Sequence, residues 1–284
     1  MIAITGANGQ LGRLVINQLL EKVPAAQIVA VARNPETAAD LRALGVNVRK
    51  GDYDDPTSLK EAFKGIDKLL LISAVVPGQR LRQHKAVIDA AREAGVKLIA
   101  YTSMLGADTS RSMLAGEHLA TEKYLIASGI DYVLLRNGWY IENHTAALPI
   151  AAQHGTLIAS SGSARFASAS RADYAAAAVA VLTQVGHANK TYELAGDTAF
   201  TMDDLAAAAS AKLGRTIVFR NLSPSEYGAA LLAAGLPQMI VDVIVDADAV
   251  ALKGDLDSSS RALSTLIGRP TTTLEEAVQT ALAA

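Results

Sequence analysis

The first twelve residues constrain the fold of this chain more than any other stretch. They read MIAITGANGQLG, so a short apolar run at 2–5 leads into Gly6-x-x-Gly9-x-x-Gly12, and an apolar pattern of helical period follows at 11–22. The first glycine permits a sharp turn, the second lets backbone N–H groups approach a pyrophosphate, and the third lets the helix pack closely on its strand. The pattern therefore predicts a strand, a phosphate-binding turn and a helix.

Glycine triplets also occur in tight turns that bind nothing. The position of this one, between a predicted strand and a predicted helix, favours a nucleotide site over such a turn. We therefore expect the turn and the start of the helix to contact a dinucleotide through Gly6, Ala7, Asn8, Gly9, Gln10 and Leu11.

The composition excludes several classes of function. The chain has 284 residues, a formal net charge of −2 and no block of like charge, which argues against a nucleic-acid or anionic-membrane surface. It contains no cysteine, so disulfides, thiolate nucleophiles and cysteine metal sites are excluded. The longest run of small apolar residues, 175–182, is far shorter than the ~20 residues of a membrane span. The glycine motif leaves no room for a signal peptide before it, and we expect a cytoplasmic protein.

Strand and helix patterns alternate through the first half of the chain. Apolar runs without alternation, as in IVAVA and KLLLIS, are typical of parallel strands covered on both faces. Predicted strands lie at 2–5, 27–33, 46–52, 68–74, 97–104 and 131–137. Helices are predicted between them, one of them capped by Asp55 with Pro56 at its first position. Six such alternations predict an α/β fold with a doubly wound parallel sheet.

The second half of the chain is less regular. We predict short strands at 165–168, 190–195 and 216–221, and a helix at 174–184 capped by Asp173. Thr201-x-x-Asp204 resembles a capping box that opens a helix ending at Leu213. The interpretation is a dinucleotide-binding domain at 1–150 and a mixed segment at 151–284. That segment returns to the sheet and forms a smaller α-rich lobe supplying the substrate pocket.

The residue that closes the second strand indicates the cofactor. NAD enzymes usually place a carboxylate there for the ribose 2′-hydroxyl, whereas NADP needs a cation for its 2′-phosphate. Here the residue is Arg33, whose guanidinium fork suits a phosphate, although a solvated loop arginine is the alternative. NADPH is thus favoured over NADH. Asp52 could meet the adenine amino group, and Ser73 and Val75 should pass near the ribose and nicotinamide.

Catalytic residues are harder to assign. Short-chain dehydrogenases use a Tyr-x-x-x-Lys pair, in which the lysine lowers the tyrosine pKa for proton exchange. Lys123 stands at about the expected distance after the fifth strand, but Leu119 occupies the tyrosine position and Tyr124 would face away. Lys123 could still bind the nicotinamide ribose, or be a surface lysine. Ser103, at the usual serine position, is as well explained as a structural residue.

Several longer stretches together resemble one family. GANGQLG, the ARNP around Arg33, GDYDD and LLRNGWYIEN make the chain similar to the NmrA-like, atypical short-chain dehydrogenases over essentially its whole length. The resemblance implies NADPH binding and flavin-independent reduction of quinones. It also implies that Gly138, Trp139, Tyr140 and Asn143 surround the nicotinamide and the substrate entrance. Tyr140 and Asn143, with Lys123, are then the candidate catalytic residues.

A quinone substrate is compatible with the missing tyrosine. A quinone that accepts a hydride forms a stabilised hydroquinone anion, which water can protonate, whereas a ketone would form an alkoxide that needs electrostatic help. Trp139 and Tyr140 could offer flat apolar surface to a ring, or could be ordinary packing. The alternatives are a redox sensor that binds dinucleotide without turnover and, less well supported because of Leu119, a nucleotide-sugar epimerase.

The five histidines show no metal-ligand spacing, so no metal site is expected. His84 could overhang the active cleft, although a histidine at such a position is more often on the surface.

Overall fold

The computed structural model describes residues 1–283 and groups them into two compact units. Unit 1 comprises Met1–Ala107, Gly116–Asn137 and Arg171–Glu193, and unit 2 comprises Asp108–Ala115, Gly138–Ser170 and the described residues from Leu194 onward. The chain therefore passes between the units several times. The division into domains at residue 150 stays a prediction.

Unit 1 contains a large sheet with the strand order β3-β2-β1-β4-β5-β6-β8. Its strands are β1 (Ile2–Ile4), β2 (Ile28–Ala32), β3 (Asn47–Lys50), β4 (Lys68–Leu71), β5 (Leu98–Met104), β6 (Asp131–Asn137) and β8 (Lys190–Leu194). The pairs from β3 through β6 are all parallel. The order reverses between β1 and β4, the switch point at which a doubly wound sheet binds its ligand. The predicted fold class is confirmed.

Helices cover both faces of this sheet. They are α1 (Gln10–Leu20), α2 (Ala39–Ala43), α3 (Pro56–Ala62), α4 (Arg80–Glu93), α5 (Ala115–Ala127) and α8 (Arg171–Thr183). Helices α3, α4 and α5 bury Leu59, Val87 and Leu125 in one cluster with Val29 and Leu69 of the strands. Neighbouring strand residues alternate in direction, so the equally buried residues between them face α1 and α8, which pack on each other.

Unit 2 is mainly helical. It contains α6 (Ile141–Thr145), α7 (Leu148–His154), α9 (Met202–Leu213), α10 (Pro224–Ala233), α11 (Gln238–Ala251), α12 (Ala262–Ile267) and α13 (Leu274–Ala283). Strands β7 (Thr156–Ala159) and β9 (Val218–Asn221) form a separate parallel pair. A cluster of buried apolar side chains that includes Leu157, Phe166, Leu205 and Val278 lies in its core.

Most of the predicted elements are present, and the main differences lie in the second half of the chain. Strand β7 was not predicted, and the predicted strand at 165–168 is wrong, because Phe166 makes only an isolated bridge with Phe200. The capping role of Asp173 is also wrong, since α8 already begins at Arg171. The predicted capping box of Thr201 and Asp204 is confirmed, with reciprocal bonds between side chains and backbone.

Candidate cofactor-binding site

The turn between β1 and α1 has the geometry of an anion site. Gly6 has a φ of +60°, a left-handed conformation that favours glycine, and its carbonyl accepts the N–H of Gly9 at 2.9 Å. Gly9 is the N-cap of α1 and provides no side-chain cap. The first amides of an eleven-residue helix are therefore left for a ligand, at the positive end of its dipole.

Close packing explains the third glycine of the motif. A Cβ on Gly12 would lie 2.9 Å from the Cα of Ala7 and 3.0 Å from the carbonyl carbon of Gly6, and one on Gly9 would lie 3.2 Å from the Gly6 oxygen. Ordinary contacts are 3.4 Å or more. The turn can therefore pack directly on α1 only with glycine at position 12.

Asn8 braces the turn against the loop that follows β2. Its amide nitrogen donates to Thr37 Oγ1 at 2.5 Å, and its amide oxygen accepts from Arg13 at 3.3 Å. Arg13 also forms an ion pair with Asp40 and donates to the Thr37 carbonyl at 3.1 Å. Sequence reasoning missed Arg13, which lies one residue beyond the glycine motif.

Arg33 follows directly on β2 and is exposed. Within residues 1–283 its guanidinium makes no hydrogen bond or ion pair. The carboxylate of Asp54 interacts with it electrostatically, and Asp54 is itself bonded by Arg82 at 2.5 Å and Gln83 at 2.9 Å, which are the main causes of its lowered pKa. Because these two side chains engage that carboxylate, the charge of Arg33 remains available to a phosphate.

The three aspartates that follow β3, at positions 52, 54 and 55, make different contacts. Asp55 caps α3 by accepting the N–H of Ser58 at 3.2 Å, as predicted. Asp54 does not cap this helix, since its side chain accepts from Arg82 and Gln83 on α4. Asp52 accepts the N–H of Asp54 at 3.0 Å in a local turn, and it stays the candidate for the adenine.

The loop after β4 contains the next two predicted cofactor residues. The Ser73 N–H donates to Thr102 Oγ1 on β5 at 2.8 Å, whereas the Val75 side chain is 72 % exposed. Strands β3, β2, β1 and β4 are neighbours in that order, so their carboxyl ends lie along one edge. The fold thereby brings together the glycine turn, Arg33, Asp52 and Ser73.

Lys123 lies apart from a buried ionic network on the same helix. Its side chain is exposed on α5 and has no ion pair within the part of the chain that the structure describes. Its neighbour Glu122 is 2 % exposed and accepts from Ser103 at 2.6 Å and from Arg136 at 2.7 and 2.9 Å. Ser103 is thus explained structurally, and the contact of Lys123 with the ribose stays a prediction.

His84 is fully buried under the loop after β4, so the expectation of a surface histidine is wrong. Burial, together with the charge of Arg80, lowers the pKa of His84 to about 3. His118 and His144 are also buried, and burial lowers each of their pKa values to about 3. Within residues 1–283 no three His, Cys, Asp or Glu side chains are grouped as metal ligands.

The segment 138–143 lies in unit 2 and is fixed by its backbone. Gly138 N–H donates to the Leu194 carbonyl at 2.8 Å, and Tyr140 forms a parallel bridge to Ala169. Trp139 is partly buried against the unit 2 core. The N–H of Asn143 donates to the Tyr140 carbonyl at 3.0 Å, and the Asn143 residue is exposed on α6.

No helix within residues 1–283 is long and apolar enough to cross a membrane.

Comparison with known proteins identifies the family of this chain. Residues 6–185 match the NAD(P)H-binding family. The chain is 54% identical over 278 residues to quinone oxidoreductase 2 of Escherichia coli strain K12, covering 98% of this chain and 97% of the relative. It is 30% identical to an NmrA-like oxidoreductase of Aspergillus flavus, covering 94% and 90% of the two chains.

Solved structures agree with these sequence similarities. The NADPH complex of the E. coli NADPH-dependent quinone oxidoreductase superposes with a TM-score of 0.96 at 53% identity, covering 99% of this chain and 100% of the other. Triphenylmethane reductase of Citrobacter sp., in complex with NADP(H), gives a TM-score of 0.95 at 41% identity, with coverage of 99% and 100%. The glycine turn, the open helix start and the similarity along the whole chain agree: this chain belongs to the NAD(P)H-binding, NmrA-like family.

Proposed function

We propose that this chain is an NADPH-dependent, flavin-independent quinone reductase. The observation that carries the proposal is the 54% identity to E. coli quinone oxidoreductase 2 across nearly the full length of both chains. Similarity confined to the nucleotide-binding part would support only cofactor binding, because one fold serves many functions. Here the alignment covers 278 residues, 98% of this chain, and so extends far beyond the nucleotide-binding part.

The turn between β1 and α1, which requires glycine, is the part of the chain proposed to bind the phosphates of the cofactor. The uncapped start of α1 and the turn at Gly6 would hold the pyrophosphate, with Ala7, Asn8, Gly9, Gln10 and Leu11 forming the rest of the contact. Arg33 would bind the 2′-phosphate through two parallel N–H donors. Asp52 would accept from the adenine amino group, and Ser73 and Val75 would adjoin the ribose.

The residues proposed for the reaction orient the substrate. Bound NADPH supplies a hydride, and one further proton completes the two-electron reduction of the quinone to a hydroquinone. We propose that Trp139 and Tyr140 provide flat surface for the quinone ring, and that Asn143 donates to a quinone oxygen, with Gly138 beside the nicotinamide. Lys123 would bind the nicotinamide ribose. Because the hydroquinone anion is stabilised by its ring, water can protonate it without a tyrosine acid.

The test is the oxidation of NADPH by the purified protein, with and without 1,4-benzoquinone and with NADH in parallel. We expect quinone-dependent turnover that prefers NADPH. Arg33→Ala should reduce that preference by about tenfold or more, because hydrogen bonds to a charged phosphate are lost. Arg42→Ala, which removes an exposed arginine 3.9 Å from Glu36, is the matched control and should leave the preference unchanged.

Two outcomes would contradict parts of the proposal. Tight NADPH binding without turnover on any quinone would contradict the reductase proposal and favour the redox-sensor hypothesis. Turnover with an unchanged preference in Arg33→Ala would leave the reductase intact and remove Arg33 from the 2′-phosphate site.

A further inference from the structure

The loop after β4 lies at the proposed nicotinamide end of the cofactor, yet it has no regular secondary structure. Residues 72–79 connect β4 to α4 and contain Val75 and Val76, whose side chains are 72 % and 45 % exposed. Such a loop is mobile unless side chains bind its backbone. Its position must therefore come from groups that lie beneath it.

Two side chains of α4 hold Ala74 by both of its backbone polar groups. His84 Nε2 accepts the Ala74 N–H at 2.8 Å. Arg80 Nε donates to the Ala74 carbonyl at 2.6 Å, and a terminal nitrogen of Arg80 lies 3.4 Å from the Val75 carbonyl. We call these two side chains the Arg80–His84 clamp.

The hydrogen bonds of His84 define its tautomer. Thr121 Oγ1 donates its proton to the Glu117 carbonyl at 2.8 Å, so at 3.0 Å it must accept from His84 Nδ1–H. The other ring nitrogen, Nε2, then has a free lone pair for Ala74. Burial and the charge of Arg80 lower the pKa of His84 to about 3, so this lone pair persists throughout the neutral range.

The burial of the Arg80 charge at this position costs folding free energy. It is only 7 % exposed, and its Nη1 has no hydrogen-bond partner within residues 1–283, lying 3.7 Å from the Glu117 carboxylate. Glu117 also accepts the N–H of Gly78 at 2.9 Å, at the far end of the same loop. Burying a charge with incomplete pairing usually lowers stability relative to an apolar side chain. The contacts of Arg80 and Glu117 nevertheless fix the loop at both of its ends.

We propose that Arg80 and His84 are positioning residues that fix Ala74 and Val75 for the ribose and nicotinamide half of the cofactor. The inference depends on the proposed cofactor site. In this role both side chains act through the loop backbone, to which they are hydrogen-bonded. The adenine half is held elsewhere, by the glycine turn and Arg33, so the clamp affects only one end of the ligand.

Two ligands separate this role from a general structural one. NADPH spans both halves of the site, whereas 2′,5′-ADP carries the adenine half and the 2′-phosphate without nicotinamide. In His84→Leu we expect the Kd for NADPH to rise by about tenfold, the value of one well-placed hydrogen bond, and the Kd for 2′,5′-ADP to stay within about twofold. His84→Gln, which returns an acceptor near Nε2, should recover most of the NADPH affinity. His154→Leu, at an exposed histidine, is the matched control.

The inference is overturned if folded His84→Leu binds NADPH like the wild type, if both ligands weaken equally, or if His84→Gln recovers nothing. If His84→Leu does not fold, Arg80→Lys applies the same comparison, because lysine keeps the charge and loses the two-carbonyl contact. Failure of the proposed function is distinguishable, since it would appear in the wild-type protein as an absence of NADPH binding or of quinone turnover.

Discussion

The close contact between the glycine turn and α1 predicts the effect of Gly12→Ala. Alanine would place its Cβ 2.9 Å from the Ala7 Cα and nearer still to the Gly6 carbonyl oxygen, where ordinary contact needs 3.4 Å. The turn and the helix must therefore separate by at least about 0.5 Å. Backbone atoms cannot swing away as a side chain can, and such overpacking costs about 1–3 kcal/mol of unfolding free energy.

Gly116→Ala is the matched control for this substitution. Gly116 also lies in a helix, α5, but a methyl group at its Cα would meet nothing within 4 Å. Replacing glycine by alanine in an unobstructed helix stabilises a protein by up to about 1 kcal/mol. Glycine-to-alanine substitution should therefore lower the free energy of unfolding at position 12 and raise it at position 116. A loss of stability in Gly12→Ala could then not be attributed to the helix propensity of alanine.

Two assays measure the outcome. Urea unfolding followed by circular dichroism gives the free energy of unfolding, and a fluorescence titration gives the Kd for NADPH. We expect Gly12→Ala to lose stability and to weaken NADPH by tenfold or more, because displaced amides lose charge-assisted bonds to the pyrophosphate. A Gly12→Ala protein that binds NADPH with unchanged affinity would refute the assignment of this turn as the phosphate cradle. Unchanged stability would refute the packing argument.

Three further expectations concern the buried charges and histidines. Glu122→Gln removes the buried negative charge that pairs with the Arg136 guanidinium and should cost about 3 kcal/mol in urea unfolding, whereas Glu93→Gln on the surface should cost under about 1 kcal/mol. Stability should fall as the pH drops below about 6.5. The reason is that His144, whose pKa burial lowers to about 3, binds its proton only in the unfolded state. Between pH 7 and pH 5, His144 alone should lower the free energy of unfolding by about 2 kcal/mol. In His144→Phe the free energy of unfolding should therefore fall less steeply over this interval, and an unchanged slope would contradict this explanation.

The sequence by itself determined the nucleotide-binding half of the fold. Local patterns control this part, because a buried parallel strand is a continuous apolar run and each turn or cap needs particular residues at fixed spacing. The strand at Asp131–Asn137 and the Asp55 cap were found in this way, and so was the Thr201 capping box in unit 2. The NmrA-like resemblance came from longer motifs and is confirmed by the comparisons.

Tertiary structure alone decided which polar side chains are buried and what they bind. Nothing in the local sequence distinguishes His84 from a surface histidine, because its acceptor role depends on Ala74, ten residues earlier, and on Thr121, 37 residues later. Glu122 and Arg136 likewise read as ordinary charged residues until strand and helix packing exclude water from their contact. The periodicity of apolar residues along the sequence indicates which face of a helix or strand is buried. It does not indicate which polar groups, distant in the sequence, will lie close enough in the fold to form hydrogen bonds. That physical difference is why the architecture could be predicted from the sequence, whereas the network beneath the loop after β4 needed the structure.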